Sequence, residues 1–193
     1  MKTMGKRIIL ASNSPRRKEL LAGIDIDFEI DTRNNFKEEY PQELKNEAIP
    51  EFLSEGKSYG FHRELEDGEI LITSDTLVIC DNLVMGKPES RTEAFQMLKA
   101  LSGGAHKVIT AITFRTSSRC RTVSDTATVY FKHLTDDEIT YYLDTYMPYD
   151  KAGAYGIQEW IGYIGITRIE GSFFTIMGLP VHLVYELLRE FGA

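Results

Sequence analysis

Residues 8–21 read Ile8-Ile9-Leu10-Ala11-Ser12-Asn13-Ser14-Pro15-Arg16-Arg17-Lys18-Glu19-Leu20-Leu21. The first four form a short apolar run suited to a buried strand, and Leu20, Leu21 and Ile24 then recur on one side of a helical pattern. Ser14 offers an N-cap oxygen, and Pro15 suits the first helical position, where a missing N–H costs nothing. The stretch therefore predicts strand, loop and helix in that order. A loop that opens a helix presents free backbone N–H groups and the positive end of the helix dipole to an anion. Arg16 and Arg17 add planar donor forks matched to phosphate oxygens. The combination tilts the reading toward phosphate binding, against the plainer one of a solvated Arg pair bridged to Glu19.

Outward from this stretch, strands and helices mix. From Asp31 to Glu69 the chain is polar, with Pro41 and Pro50 read as breaks and helical pieces between them, Phe52-Leu53 included. Ile70–Thr73 and Leu77–Cys80 read as two apolar strands flanking Ser74-Asp75-Thr76. Asp81-Asn82 turns into Leu83-Val84-Met85, a hairpin that ends at Gly86-Lys87-Pro88. Ser90 with Glu93, and Thr135 with Glu138, spell two capping boxes. The helices they open turn Ala94, Phe95, Met97, Leu98 and Leu101, then Ile139, Tyr142, Leu143 and Tyr146, inward. Gly103-Gly104 closes the first of these helices and Pro148 follows the second. Val108–Phe114 and Thr122–Phe131 are β-prone and expected to pair antiparallel, with Ser117-Ser118 in the turn region between them. A Gly-rich loop from Asp150 to Gln158, a strand-like run from Tyr163 to Ile169, and a helix opened by Gly178-Leu179-Pro180 complete the chain. Without strict alternation, the class is α/β or α+β with a mixed sheet.

The 193 residues suit one compact domain or two small lobes. A net charge of −7 is the opposite of a nucleic-acid footprint, so a long polyanion is not an expected partner. Cys80 and Cys120 lie in apolar stretches without metal-ligand spacing and read as reduced core residues. The basic N-terminus, Met1 to Arg7, is followed by an apolar run that stops at Ala11, too short for a signal segment or a membrane span. The expected location is the cytoplasm.

Asp75 stands between two apolar runs, and a buried carboxylate must be hydrogen-bonded, paired or metal-bound. It can hold Mg²⁺, or take a proton from water attacking phosphorus; it can also be a simple Asx turn between strands. Lys87 and Lys151 lie in glycine-containing loops that let backbone approach a ligand, although most loop lysines are merely solvated. Thr76 and Gln158 are uncharged groups able to read a base edge. The motifs G-x-x-x-x-G-K-[ST], G-x-G-x-x-G and H-E-x-x-H do not occur. His62, His106, His133 and His182 lie on unrelated predicted elements, which argues against a zinc site or a His-centred triad.

Taken in order, Leu10 to Leu21, Ser74-Asp75-Thr76, Gly86-Lys87-Pro88, Leu101-Ser102-Gly103 with His106, Asp150-Lys151-Ala152-Gly153-Ala154-Tyr155-Gly156-Ile157-Gln158 and Gly178-Leu179-Pro180 follow the sequence of motifs in the Maf family. The chain resembles a Maf nucleoside triphosphate pyrophosphatase from about Ile8 to its last helix. The resemblance implies a single Maf-like domain over residues 1–193, related in fold to inosine triphosphate pyrophosphatases, with two lobes around a central cleft. It implies cleavage between the α- and β-phosphates to a nucleoside monophosphate and pyrophosphate, with a divalent cation, Mg²⁺ or Mn²⁺. On this likeness Asp75 is the general base and a metal ligand. Ser12, Ser14, Arg17, Lys57, Lys87 and Lys151 go to the triphosphate. Arg16, Thr76 and Gln158 match the branch that prefers dTTP and UTP. The family commonly pairs, which makes Tyr141, Tyr142, Tyr146 and Trp160 candidate interface residues.

Three places depart from the family pattern. Asp31-Thr32-Arg33-Asn34-Asn35-Phe36-Lys37-Glu38-Glu39 replaces an acidic pair, leaving Glu38, Glu39 or neither as the second metal ligand. Gly56 and Ser58 flank Lys57 where an Ala-rich pattern is usual. Glu159-Trp160 follows Gln158 in place of a small glycine. Two other readings stand beside the pyrophosphatase: a non-catalytic nucleotide-binding regulator of cell division, and the same reaction on modified or purine nucleotides.

Overall fold

The computed structural model describes residues 5–193; Met1 to Met4 of the basic N-terminal stretch lie outside the described residues. Strand β1 (Arg7–Leu10) leads through the Ser12–Ser14 turn into helix α1 (Pro15–Ala22), as its residues predict. β1 runs parallel to β2 (Glu29–Ile30) on one side and to β3 (Glu69–Cys80) on the other. Its buried Ile8, Ile9 and Leu10 fit a strand covered on both faces. Helix α2 (Ala48–Tyr59) precedes β3, and β4 (Leu83–Met85) folds back antiparallel on β3 across Asp81 and Asn82, both at positive φ. Helix α3 (Arg91–Leu101), strands β5 (Ala105–Arg115) and β6 (Cys120–Phe131), and helix α4 (Asp136–Tyr146) follow. β5 and β6 are neighbours joined by the 116–119 turn, in which the Thr116 N–H donates to the Arg119 carbonyl at 2.8 Å; so short a link requires an antiparallel pair. Then come a 3₁₀ turn (Ala152–Ala154), helix α5 (Trp160–Gly165), strand β7 (Ile166–Glu170) antiparallel to β6, and helices α6 (Phe173–Met177) and α7 (Val181–Glu190). The sheet is mixed, in the order β2-β1-β3-β5-β6-β7 with β4 added on β3, and helices flank it.

The chain divides into two compact units. The first holds the residues up to Asp75, Thr110–Asp125 and Gly178–Ala193; the second holds Thr76–Ile109 and Thr126–Met177. Buried Leu10, Leu21, Leu53, Ile72, Phe114 and Leu188 belong to the core of the first. Leu98, Leu101, Val129, Ile139, Tyr142 and Ile161 belong to that of the second. No helix among the described residues is long and apolar enough to cross a membrane.

Several expectations are corrected. The runs on either side of Ser74-Asp75-Thr76 are one continuous strand, β3, because Asp75 is paired and the backbone has no need to break around it. Pro50 does not break a helix: it occupies the first turn of α2, where its absent N–H has no intrahelical partner to lose. Ser90 caps α3, but the Glu93 carboxylate accepts from the Glu89 N–H at 2.7 Å rather than closing the box on Ser90. Thr135 and Glu138 do form a complete capping box. The first part of the Tyr163–Ile169 run belongs to α5, which leaves Tyr163 exposed. Tyr146 is exposed and stacks on Tyr142, while Tyr142 is fully buried and so cannot serve an interface. Cys80 is a free buried thiol; Cys120 is free but only half-buried.

Candidate active site

In the first unit the serines pin the turn that opens α1. Ser12 Oγ accepts from the Ser14 N–H at 3.2 Å and from Arg17 Nη1 at 3.4 Å, and Ser14 Oγ accepts from the Arg17 N–H at 3.4 Å. Arg17 then reaches away from the turn. Its Nε donates to the Gly178 carbonyl at 2.8 Å and its Nη1 to the Ser74 carbonyl at 3.0 Å, while Ser74 Oγ donates to that same Gly178 carbonyl at 3.2 Å. Gly178 has a positive φ of 104°, which a residue with a side chain rarely adopts. The turn, the middle of β3 and the approach to α7 are thereby bolted together through one guanidinium. Burial lowers its pKa below the usual arginine value, and the nearby Asp75 carboxylate opposes that shift.

Asp75 follows Ser74 on β3 and is 9% exposed. Lys57 Nζ lies 2.6 Å from Asp75 Oδ1 and 3.2 Å from Glu38 Oε1, so one ammonium draws two carboxylates to a single point. Helix α2 delivers that lysine and is held on either side of it. The Ser54 carbonyl accepts from Thr73 Oγ1 at 2.7 Å, and Ser54 Oγ meets Thr113 Oγ1 at 2.9 Å. One turn later, Arg115 Nε and Nη2 both donate to the Ser58 carbonyl, at 3.1 and 2.6 Å, a cation at the negative end of the helix. Of the two acidic candidates, Glu38 is the one that reaches Lys57; Glu39 has no ion pair among the described residues.

The second unit carries the remaining candidates. Lys151 is buried, with its Nζ 2.7 Å from Asp150 and 3.0 Å from Glu159. Tyr142 donates its hydroxyl to Glu159 Oε2 and accepts from the Gly156 N–H at 3.0 Å. Burial first, and Glu159 second, push the Tyr142 phenol well above its ordinary range. A methyl at Gly156 would lie 2.8 Å from Glu159 Cδ and 3.1 Å from Lys151 Cε, so the lysine and its carboxylate need glycine there. The Gly153 N–H donates to the Gly86 carbonyl at 3.1 Å, which ties the Lys151 loop to the one carrying Lys87. Lys87 is exposed and has no ion pair among the described residues. Gln158 lines a cavity of about 340 Å³ with Ile157, Tyr163 and Phe173, and its Oε1 is buried without a hydrogen-bond partner.

Ser12, Ser14, Arg17, Lys57 and Asp75 are therefore drawn together in the first unit by direct contacts, with Arg16 half-buried at the start of α1. Thr76, Lys87, Lys151 and Gln158 belong to the second. Sequence reasoning missed Arg115, the Tyr142–Glu159 pair and the part Gly178 plays as an acceptor for Arg17. Gly178 left a signal, as a glycine just ahead of a Leu-Pro helix start, and so did the pair, through the inward Tyr142 and the unusual Glu159 after Gln158; Arg115 left none.

Comparison with known proteins gives a family model, described as Maf-like protein, that matches residues 7–191. A protein of Porphyromonas gingivalis named dTTP/UTP pyrophosphatase is 50% identical over 188 residues, covering 96% of this chain and 94% of the relative. Relatives of the same name from Parabacteroides distasonis and Flavobacterium johnsoniae are 49% and 48% identical, covering 96% and 94% of the chain and 96% and 93% of their own lengths.

Proposed function

The chain belongs to the Maf family, and from that premise we propose that it is a nucleoside triphosphate pyrophosphatase acting on dTTP and UTP. The observation that carries the reading is the junction in the first unit: the serine turn that opens α1, whose Arg17 holds the Ser74 carbonyl, with the carboxylate of Asp75 on the next residue. A triphosphate brings about four negative charges, which helix N–H groups, arginine and lysine must share. We assign the backbone of the Ser12–Ser14 turn and the Arg16 fork to phosphate oxygens, together with Lys57, Lys87 and Lys151. Asp75 Oδ1 is engaged by Lys57, so Oδ2 is assigned to the attacking water. As the water oxygen bonds to the α-phosphorus, its proton passes to Asp75, the bond to the bridging oxygen breaks, and pyrophosphate leaves.

The donor set fits a hard divalent cation. Asp75 and Glu38 offer carboxylate oxygens that already converge on one positive charge, and Mg²⁺ characteristically takes one or two carboxylates plus substrate phosphates. Three or more His, Cys, Asp or Glu side chains do not cluster anywhere among the described residues, so phosphate and water would complete the shell. When bound, Mg²⁺ or Mn²⁺ would neutralise charge on the phosphate oxygens.

The orphaned Gln158 Oε1 favours a base with a ring N–H, thymine or uracil over cytosine. An unpaired buried acceptor is costly and is relieved by a donor. The N3–H of thymine or uracil is such a donor, and cytosine has none at that position. Arg16 and Thr76 complete the proposed base recognition. The nucleotide pool it would draw on is cytoplasmic, which is where we place the protein.

Pyrophosphate release from a panel of nucleoside triphosphates, with Mg²⁺ or Mn²⁺, tests the proposal. The expected result is the highest kcat/KM for dTTP and UTP, and a loss of about 10²- to 10⁴-fold in a folded Asp75→Asn variant. Nucleotide binding without turnover would favour the regulator reading, and parental rates in Asp75→Asn would remove the base.

A further inference from the structure

Between Arg33 and Glu43 the chain has almost no regular structure, and Phe36 is the single residue there that is not exposed. Glu38, which reaches Lys57, lies in this segment. The main-chain anchors all precede it: the Asn35 N–H donates to the Gly60 carbonyl at 2.8 Å, and the His62 N–H to the Arg33 carbonyl at 3.3 Å. Beyond Phe36 the described main-chain bonds up to Leu44 are local, Glu39 to Lys37 and Leu44 to Pro41. Asn34 turns the segment toward the helix, with Nδ2 donating to the Lys57 carbonyl at 2.5 Å and Oδ1 accepting from the Phe36 N–H at 2.8 Å.

The Phe36 ring is seated by glycines. A methyl at Gly56 would overlap the ring at Cε2 and Cζ, and one at Gly60 would lie within 2.6 Å of Asn34 Oδ1 and 2.8 Å of the Phe36 nitrogen. Phe52, one turn before Gly56, closes the seat, its ring centroid 6.4 Å from that of Phe36. Positions 52, 56 and 60 follow one another at the four-residue spacing that puts side chains on one helix face. Glycine is unfavourable inside a helix relative to alanine, so Gly56 needs a reason, and the ring supplies one.

We propose that Phe36 is a positioning residue: its ring, seated over Gly56, sets where the Glu38 carboxylate meets Lys57 beside Asp75. The proposal rests on the metal-assisted reading above, because Glu38 matters only as the second carboxylate of that site. Glu38 is two residues beyond the ring and is itself exposed; apart from Lys57, the charge it acts on is that of Arg17.

The test uses the full chain with Gly56→Ala, Phe36→Ala, Gly56→Ala with Phe36→Leu, and each of these combined with Glu38→Gln. Two readouts are taken: Mn²⁺ binding followed by electron paramagnetic resonance, and amide exchange over residues 34–40. Gly56→Ala should weaken Mn²⁺ binding about 10- to 100-fold, as loss of a supporting contact does, and speed exchange in this segment while α2 stays protected. The shorter leucine should restore both readouts, and in the Glu38→Gln background Gly56→Ala should add nothing to the loss. Unchanged binding and exchange in Gly56→Ala would overturn the proposal, as would an equal further loss in the Glu38→Gln background. A parent that binds Mn²⁺ but releases no pyrophosphate from any nucleotide would sink the activity instead, and leave the positioning role to be decided by binding and exchange.

Discussion

Lys57 Nζ sits 2.6 Å from Asp75 Oδ1, a contact between helix α2 and the middle of strand β3 in which neither side chain is more than one-fifth exposed. The pair is what lets a carboxylate occupy the middle of a strand whose other residues are almost all buried. Breaking a shielded pair from one side leaves an uncompensated charge, which costs more than removing both partners.

Lys57→Met should therefore lower stability by about 3 kcal/mol, and adding Asp75→Asn should recover part of that loss despite removing a second native group. Urea unfolding of the two single variants and the double variant checks this. Additive losses would mean the pair is too well solvated to matter.

Arg17→Lys keeps the charge but not the fork that spans the Gly178 and Ser74 carbonyls. The expected stability loss is about 1.5–3 kcal/mol, the range for hydrogen bonds to a charged group. A fall in kcat/KM should accompany it, since Ser74 precedes Asp75. Denaturant midpoints and steady-state rates measured on the same preparations test both halves.

His106 is buried in the second unit, stacked on Phe131 and sharing a 2.7 Å hydrogen bond with the Tyr155 hydroxyl, while its Nδ1 has no partner. Burial depresses its pKa to about 4, below the ordinary histidine value of 6.5. The unfolded chain then binds the extra proton first, so stability is complete above pH 6.5 and falls as pH drops from there toward 4. The loss is on the order of 3 kcal/mol, and His106→Phe should flatten that part of the pH–stability curve. Glu69, bonded first by Arg63 and depressed to about 2 from 4.5, adds a separate loss at lower pH, between those two values.

Gln158→Leu fills similar space without the orphaned acceptor. Thermal stability should be unchanged or slightly higher, while kcat/KM for dTTP and UTP falls about 10- to 100-fold and the discrimination against CTP shrinks. Unaltered selectivity across the nucleotide panel would take Gln158 out of base recognition.

Much of the local architecture was legible in order along the chain. Ser14-Pro15 at the start of α1, the Thr135–Glu138 box and the Asp81-Asn82 turn all act over three or four residues, so their physics is complete within a short window. The errors arose where a distant group changes the balance. Asp75 looked like a break in the sheet because its lysine lies on another element, and Pro50 looked like a break because the start of α2 carries no side-chain cap.

By itself the sequence determined the mixed α/β class, the helix-opening turn at residues 12–17 and Asp75 as the acidic group to watch, because caps, turn residues and apolar periodicity are short-range preferences. Tertiary structure alone brought Glu38 rather than Glu39 to Lys57, drew Arg17 to a carbonyl 161 residues away, and packed the Phe36 ring over Gly56. Those contacts join segments that no local preference links, and they exist only once packing has met the entropy of bringing such distant parts of the chain together.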